Sequence, residues 1–113
     1  MTKIILFIAL LATMPVHPIT GHWIAAGPNN TKLFIDFNKD GTFKVYSKTA
    51  TENSGRYHTS IDTIFMYDNN CGTQVGGKYL LHFYGPDSVS FSLLQDSCGE
   101  RAQEVNGARM KRG

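Results

Sequence analysis

CGTQVGGKYLLHFYGPDSVSFSLLQDSCGER, residues 71–101, is the stretch of this sequence with the clearest structural pattern. It predicts a β-hairpin in which GGKYLLHFYG is the first strand, GPDS the turn and SVSFSLLQD the second strand. In the second strand serines alternate with Val89, Phe91 and Leu93. We therefore expect the serines to face water and the three apolar side chains to face a core.

The first residues predict a secretory signal peptide. Lys3 precedes an unbroken apolar run from Ile4 to Ala12, which is too short to span a bilayer comfortably. We place the signal peptide at residues 1–18 and a single domain at 19–113. An uncleaved anchor and a buried first strand are the alternatives. The expected location is secreted or periplasmic, with no stable membrane span after cleavage.

The hairpin is flanked by Cys71 and Cys98, the two cysteines of the chain. An exported chain with two cysteines predicts one disulfide between them. Closing residues 71–98 stabilises a small domain by roughly 3–3.5 kcal/mol in the chain-entropy model. A redox pair or a metal site is disfavoured because no Cys-x-x-Cys spacing exists, and we expect no metal or cofactor.

The charge balance argues against nucleic acid as a partner. The net charge is +2, and loss of Lys3 with the signal peptide lowers it to +1. A protein that binds nucleic acid normally shows a clear basic excess. The local excess of Arg109, Lys111 and Arg112 is more typical of a solvated tail.

Turn signals divide the domain into eight short strands. The sequential hairpins, without long crossovers, predict an all-β fold: a small eight-stranded up-and-down antiparallel barrel. The segment Lys48–Ser54 is expected to be a loop, and Gly107 a bulge in the last strand. The predicted strands outside the hairpin span residues 20–26, 33–38, 42–47, 55–60, 63–68 and 102–111.

The inward positions of these strands are largely aromatic and aliphatic. We expect the interior to be mostly filled by its own side chains, with room for at most a small ligand. Ligand contacts are predicted from the interior and the rim at Tyr57, Tyr79, Phe91 and Arg101. The full inward set is Ile35, Phe37, Phe43, Val45, Tyr57, Ile64, Met66, Tyr79, Leu81, Phe83, Val89, Phe91 and Leu93.

Several short motifs resemble a known family. Gly21-His22-Trp23 matches the G-x-W opening of lipocalins. The later order is DGTF (residues 40–43), G-x-Y (55–57), Cys71, G-x-Y (77–79) and D-x-C-x-x-R (96–101). Together they resemble the small lipocalin-like (calycin-like) barrels secreted by bacteria. The chain departs from that pattern at Met110, where an aromatic residue is usual.

The resemblance implies a basic side chain stacked on Trp23. In an eight-stranded up-and-down barrel, the loops containing Cys71 and Cys98 lie at one end, and the last strand returns to the other. The residue stacking on Trp23 should therefore be Arg109 or Arg112 rather than Arg101. Asp96 and Arg101 then belong to the open rim, where they either engage a ligand or form a turn cap and an ion pair that steady the disulfide loop.

Other motifs favour ordinary structural roles. Asp36–Gly41 imitates the start of a calcium loop, but it lacks the late acidic ligand and flanking helices, which favours a hairpin turn. His22, His58 and His82 lie on separate strands, with the last two facing outward, so a zinc site is not expected. No nucleophile–base signature occurs, and the sequence predicts a protein that is not an enzyme. The sequon at Asn29–Thr31 is frequent by chance.

These features predict a non-enzymatic binding module for a small apolar ligand or a protein surface. The alternative is a periplasmic protease-inhibitor-like barrel that uses Pro15–Thr20 (PVHPIT) as an extended N-terminal arm. A structural envelope protein without a discrete ligand is a third interpretation.

Overall fold

The structure, a computed structural model, describes residues 18–113, so the predicted signal peptide falls outside the described residues except for Pro18. Eight antiparallel strands follow one another around a closed barrel, as the sequence predicted. The first and last strands pair with each other, which closes the barrel. The strands are β1 (Gly21–Ala26), β2 (Lys32–Phe37), β3 (Thr42–Tyr46), β4 (Thr51–Ser60), β5 (Thr63–Asp68), β6 (Gly76–Phe83), β7 (Ser88–Asp96) and β8 (Arg109–Arg112).

The core lies inside the barrel and follows the predicted alternation over most of its length. On β5, Ile64 and Met66 are buried, and on β7 Val89 and Phe91 are buried. Val45 and Phe83, also predicted to face inward, are half-buried. The buried hydrophobic residues are Ile19, Trp23, Ile35, Phe37, Phe43, Tyr57, Ile64, Met66, Tyr79, Leu81, Val89, Phe91 and Met110.

The prediction for Leu93 is wrong, because its side chain is 40% exposed. Lys78 pairs with Gln95 whereas Tyr79 pairs with Leu93, so Leu94 is an extra residue on β7. This bulge comes after Leu93, which pairs directly with the buried Tyr79 and so stays on the inner side of the sheet. The exposure of Leu93 accompanies the short partner strand, because β8 pairs with β7 at Ser88–Ser90 and Leu93 lies beyond that pairing.

The last predicted strand is wrong over its first half. Gly99–Val105 forms a helix, here called α1, and β8 is confined to Arg109–Arg112. Backbone N–H groups of Ala102 and Asn106 donate to the carbonyls of Cys98 and Ala102, which is the helical pattern. Gly107 has φ +81° and reverses the chain after the helix rather than forming a bulge.

The predicted loop at Lys48–Ser54 is also shorter than expected. β4 begins at Thr51, and its first residues pair with the end of β3, where Tyr46 lies opposite Thr51. The polar composition of this segment hides the strand, because neither face of it is fully buried there.

The end of the barrel that contains Trp23 is closed. The indole Nε1 donates to the carbonyl of Ile19 at 2.7 Å. The guanidinium of Arg112 stacks over the Trp23 ring at 4.1 Å and donates to the carbonyls of Thr20 and Pro18. Arg112 is therefore the basic partner of Trp23, while Arg109 stacks on Tyr84 instead.

The predicted disulfide Cys71–Cys98 is present, with 6.0 Å between the two Cα atoms. It ties the β5–β6 loop to the residue before α1, at the end of the barrel opposite Trp23. Within residues 18–113, no helix has the length and apolarity needed to cross a membrane.

Candidate functional site

A cavity of about 1040 Å³ opens at the disulfide end of the barrel. The expectation of a largely filled interior is wrong for this half. Trp23 and Tyr57 lie toward the closed end and do not line the cavity, whereas the walls of the open half come from strand ends, loops and α1. Strand β8 is also short and pairs with only the first part of β7. Helix α1 lies beside the rest of β7, where a longer last strand would have paired.

The inner wall of the cavity is apolar. Leu33 and Val45 contribute from β2 and β3, Phe43 and Met66 line the deeper part, and Val105 of α1 closes one side. Phe43 and Met66 are buried, while the other three are half-buried. This arrangement gives an apolar surface that is reached from solvent through the mouth.

A buried ion-pair network forms one side of the mouth. Arg101, only 4% exposed, donates from Nε to Asp96 at 2.7 Å and from Nη1 to Asp68 at 3.1 Å. Its Nη2 donates to Asp96 Oδ1 and to the carbonyl of Val75, both at 2.8 Å. The guanidinium thus has protein acceptors on all three of its nitrogens.

The same network holds both ends of the disulfide. The backbone N–H of Cys71 donates to Asp68 at 2.8 Å, and that of Cys98 donates to Asp96 at 2.9 Å. The Tyr79 hydroxyl also donates to Asp96. Of the two interpretations of Asp96 and Arg101, these contacts match the turn cap and ion pair that steady the disulfide loop.

These contacts shift the ionisation of their members. Burial alone would raise the pKa of Asp96, but hydrogen bonds from Arg101, Tyr79 and the Cys98 N–H outweigh it and hold that pKa below its usual range. Burial, together with the hydrogen bond to the Asp96 carboxylate, raises the pKa of Tyr79. The hydrogen bond to Asp96 likewise raises the pKa of Arg101, despite burial. Arg101 and Asp96 therefore form an ionised pair at neutral pH.

The four residues predicted to contact a ligand are not brought together. Arg101 borders the cavity. Tyr57 lies toward the other end, where its hydroxyl donates to the carbonyl of Asn38 at 2.7 Å. Phe91 is 3% exposed in the core, and Tyr79 is fully buried against Asp96. The cavity walls come instead from strand ends, loops and α1. The alternation of inward positions along the strands does not identify residues in these places.

The remaining sequence motifs have structural roles. Asp40 caps the β2–β3 turn by accepting hydrogen bonds from the Thr42 N–H at 2.9 Å and its hydroxyl at 2.6 Å. These bonds lower the pKa of Asp40. His58 and His82 are exposed, as predicted. Among residues 18–113, no group of three or more potential metal-binding side chains comes together.

The described end of the predicted N-terminal arm is attached to the barrel. Ile19 is buried in the core, and Arg112 holds the carbonyls on both sides of it. Residues 15–17 of the arm lie outside the described residues. Deleting residues 15–20 would therefore remove core packing as well as an arm.

Comparison with protein-family profiles, with curated proteins and with solved structures found no match to this chain.

Proposed function

We propose that this protein is a non-enzymatic binding module that holds a small, mainly apolar molecule in the open half of its barrel. The observation that carries the proposal is the cavity of about 1040 Å³ with its apolar inner wall. Small-molecule sites typically enclose about 300–1000 Å³ and are lined mostly by apolar side chains. The cavity is at the upper end of that range and is open, so a ligand that leaves some of its surface in water fits it.

The rim favours one orientation of such a ligand. Lys32 and Lys48 lie at the mouth together with Glu52, Glu100 and Glu104, whereas the deeper wall is apolar. A molecule with a polar group would keep that group at the charged, hydrated rim and bury its apolar body, since burying an unpaired polar group costs free energy. The buried Arg101 already has acceptors on every nitrogen and is not needed for this orientation.

Export supports the same function. The apolar run after Lys3 and the disulfide both suit a protein of an oxidising compartment. The closed eight-stranded barrel, with Arg112 over Trp23 at its base, is compatible with a lipocalin-like fold. We place the protein outside the cytosol as a secreted or periplasmic carrier.

A dye titration with a cavity-filling variant tests the proposal. N-phenyl-1-naphthylamine, a neutral apolar dye, should bind the wild-type protein and gain fluorescence. Val45→Trp places a large side chain at the half-buried wall and should weaken binding by roughly tenfold or more, because it fills space that the dye needs.

Leu94→Trp is the matched control, because Leu94 is 50% exposed and does not line the cavity. It should bind the dye as the wild type does. Circular dichroism should show both variants folded. No dye binding by the folded wild type, or equal binding by Val45→Trp, would contradict the proposal.

A further inference from the structure

Ile61, at the tip of the β4–β5 hairpin, combines an unfavourable backbone conformation with an exposed side chain. Ser60 pairs with Thr63, so Ile61 and Asp62 alone form the turn. Ile61 has φ +57°, in the left-handed region where two-residue hairpin turns normally place glycine or asparagine. A β-branched residue in that region costs free energy. The side chain is 72% exposed, so packing within the chain does not compensate for that cost.

Tyr84 is a second large exposed side chain beside Ile61. It follows β6 directly, and its side chain is 50% exposed. The backbone N–H of Leu81 donates to the carbonyl of Asp62 at 2.6 Å, which places the β4–β5 turn beside β6 with Ile61 level with His82. The His82 ring packs edge-on against Tyr84 with 4.5 Å between ring centroids. The two exposed side chains therefore belong to the tips of neighbouring hairpins.

Both tips lie at the closed end of the barrel, which is also where the chain enters it. Arg112 donates from Nε to the carbonyl of Pro86 in the β6–β7 turn and from Nη2 to the carbonyl of Pro18, each at 3.2 Å. Five residues separate Pro18 from the apolar run at 4–12. That run is therefore connected to the end of the barrel that carries the two exposed side chains.

The charges at this end nearly balance. Each of the three turns there carries one aspartate, and the basic residues come from the first turn and from β8. The aspartates are Asp40, Asp62 and Asp87, and the basic residues are Lys39, Arg109, Lys111 and Arg112. Asp87 lies 3.6 Å from Nε of Arg112, which pairs two of these charges. Because neither sign dominates, the apolar tips distinguish this end more than its charge does.

We infer that the closed end of the barrel docks on a lipid surface through Ile61 and Tyr84. An apolar side chain on a projecting tip can enter the boundary between headgroups and acyl chains, where the bound state gains from buried apolar area. Tyrosine suits the same boundary because its ring is apolar and its hydroxyl stays hydrated. In this orientation the mouth of the cavity faces away from the lipid.

The small size of the contact favours lipid over a protein partner. A stable protein interface buries about 800 Å² on each partner and requires a matching shape, whereas a lipid surface adapts to two projecting tips. Neither Ile61 nor Tyr84 lines the cavity, so this inference is independent of the cavity ligand.

Vesicle binding by matched variants tests the inference. Each protein is purified from its own host and titrated with phosphatidylcholine vesicles and with vesicles of equal parts phosphatidylcholine and phosphatidylglycerol, followed by sedimentation. Ile61→Gly removes the apolar side chain and suits the positive φ of the turn. Leu94→Ala is the control, because Leu94 is 50% exposed on β7 near the opposite end.

The wild type should bind both kinds of vesicle with similar affinity. Ile61→Gly should bind roughly tenfold more weakly, and Leu94→Ala should stay within about twofold of the wild type. The thermal midpoint of Ile61→Gly should be unchanged or higher, because glycine relieves the backbone strain. Loss of vesicle binding therefore cannot be attributed to unfolding.

Two tryptophan variants test the orientation on the lipid. Lipids brominated on their acyl chains quench tryptophan emission at short range, so they should quench Ile61→Trp more strongly than Leu94→Trp. Any one of four results would overturn the inference: no binding of the wild type to either vesicle, equal binding by Ile61→Gly, binding to the anionic vesicles alone, or equal quenching of the two tryptophan variants.

Discussion

Arg101 is buried between Asp68 and Asp96, and this arrangement shows how one residue can connect distant elements. Its partners lie on β5 and β7, and its own backbone belongs to α1. Transferring these charges from water to the protein interior costs free energy, and that desolvation cost is offset only when every polar atom has a partner. The guanidinium meets that condition through both carboxylates and the Val75 carbonyl.

Arg101→Met should therefore be severely destabilising, since it leaves Asp68 and Asp96 buried without a cation. Breaking a buried pair in this way typically costs about 3–5 kcal/mol. Urea denaturation followed by the emission of Trp23, the single tryptophan, measures the change. Arg56→Met, at an exposed position, should change the unfolding free energy by less than about 1 kcal/mol. Similar unfolding free energies for the two variants would show that the network contributes little.

Asp96 should make the barrel sensitive to acid. Its pKa in the folded protein lies below the usual value of 3.8, so the folded state favours the carboxylate more strongly than the unfolded chain does. That stabilisation is complete above the unfolded pKa and is lost as the pH falls below about 4 and through the folded pKa. Urea midpoints measured from neutral pH down to about pH 2.5 should fall steeply for the wild type, and Asp96→Asn should flatten the acid limb. Asp62→Asn, at an exposed turn, should retain the wild-type slope; an unchanged slope in Asp96→Asn would refute this account.

At the scale of the elements, the two G-x-Y motifs have the same design. In each, the glycine lets neighbouring atoms come close to its backbone, and the ring of the tyrosine is buried in the interior. Gly55 and Gly77 both lie where an added Cβ would overlap neighbouring atoms, and the tyrosines two residues later fill the interior. At Gly77 the neighbours are the carboxylate of Asp96 and the Nε of Arg101, 2.9 Å from the hypothetical Cβ. This glycine is thus required by the ion-pair network rather than by a turn.

Gly77→Ala should destabilise the protein by roughly 1–3 kcal/mol, because the methyl group must displace a well-packed charged pair. Gly99→Ala is the matched control, since nothing lies within 4 Å of the corresponding Cβ at the start of α1. It should be neutral or slightly stabilising in thermal unfolding. A loss of equal size in both variants would mean that close packing at Gly77 is unimportant.

Regular alternation made some elements predictable and its absence hid others. The bounds of β5 and β7 match the sequence prediction because apolar residues recur at every second position. Helix α1 has seven residues and begins at Gly99, so it offers too few periodic positions to identify it. The exposure of Leu93 accompanies the end of the β7–β8 pairing at Ser90, which is a property of the paired strands and not of β7 alone.

At the scale of the whole molecule, the barrel has two different ends. Trp23, Ile19 and Arg112 close one end, and the disulfide and Arg101 hold the rim of the other. The disulfide was predicted from two cysteines in a chain expected to be exported. The family resemblance implied a basic partner for Trp23, and loop order in an up-and-down barrel narrowed it to Arg109 or Arg112. The sequence did not predict the cavity, because the volume depends on how α1 replaces part of the wall and on where the large rings point.

The central claim is that the open half of the barrel holds a small apolar molecule. Native mass spectrometry of the protein purified from its own host tests this claim most directly, with Val45→Trp purified in parallel. We predict a folded wild-type protein that carries an additional small-molecule mass, which is lost on denaturation and is absent from Val45→Trp. A wild-type mass equal to that of the polypeptide alone, or the same additional mass on both proteins, would contradict the claim.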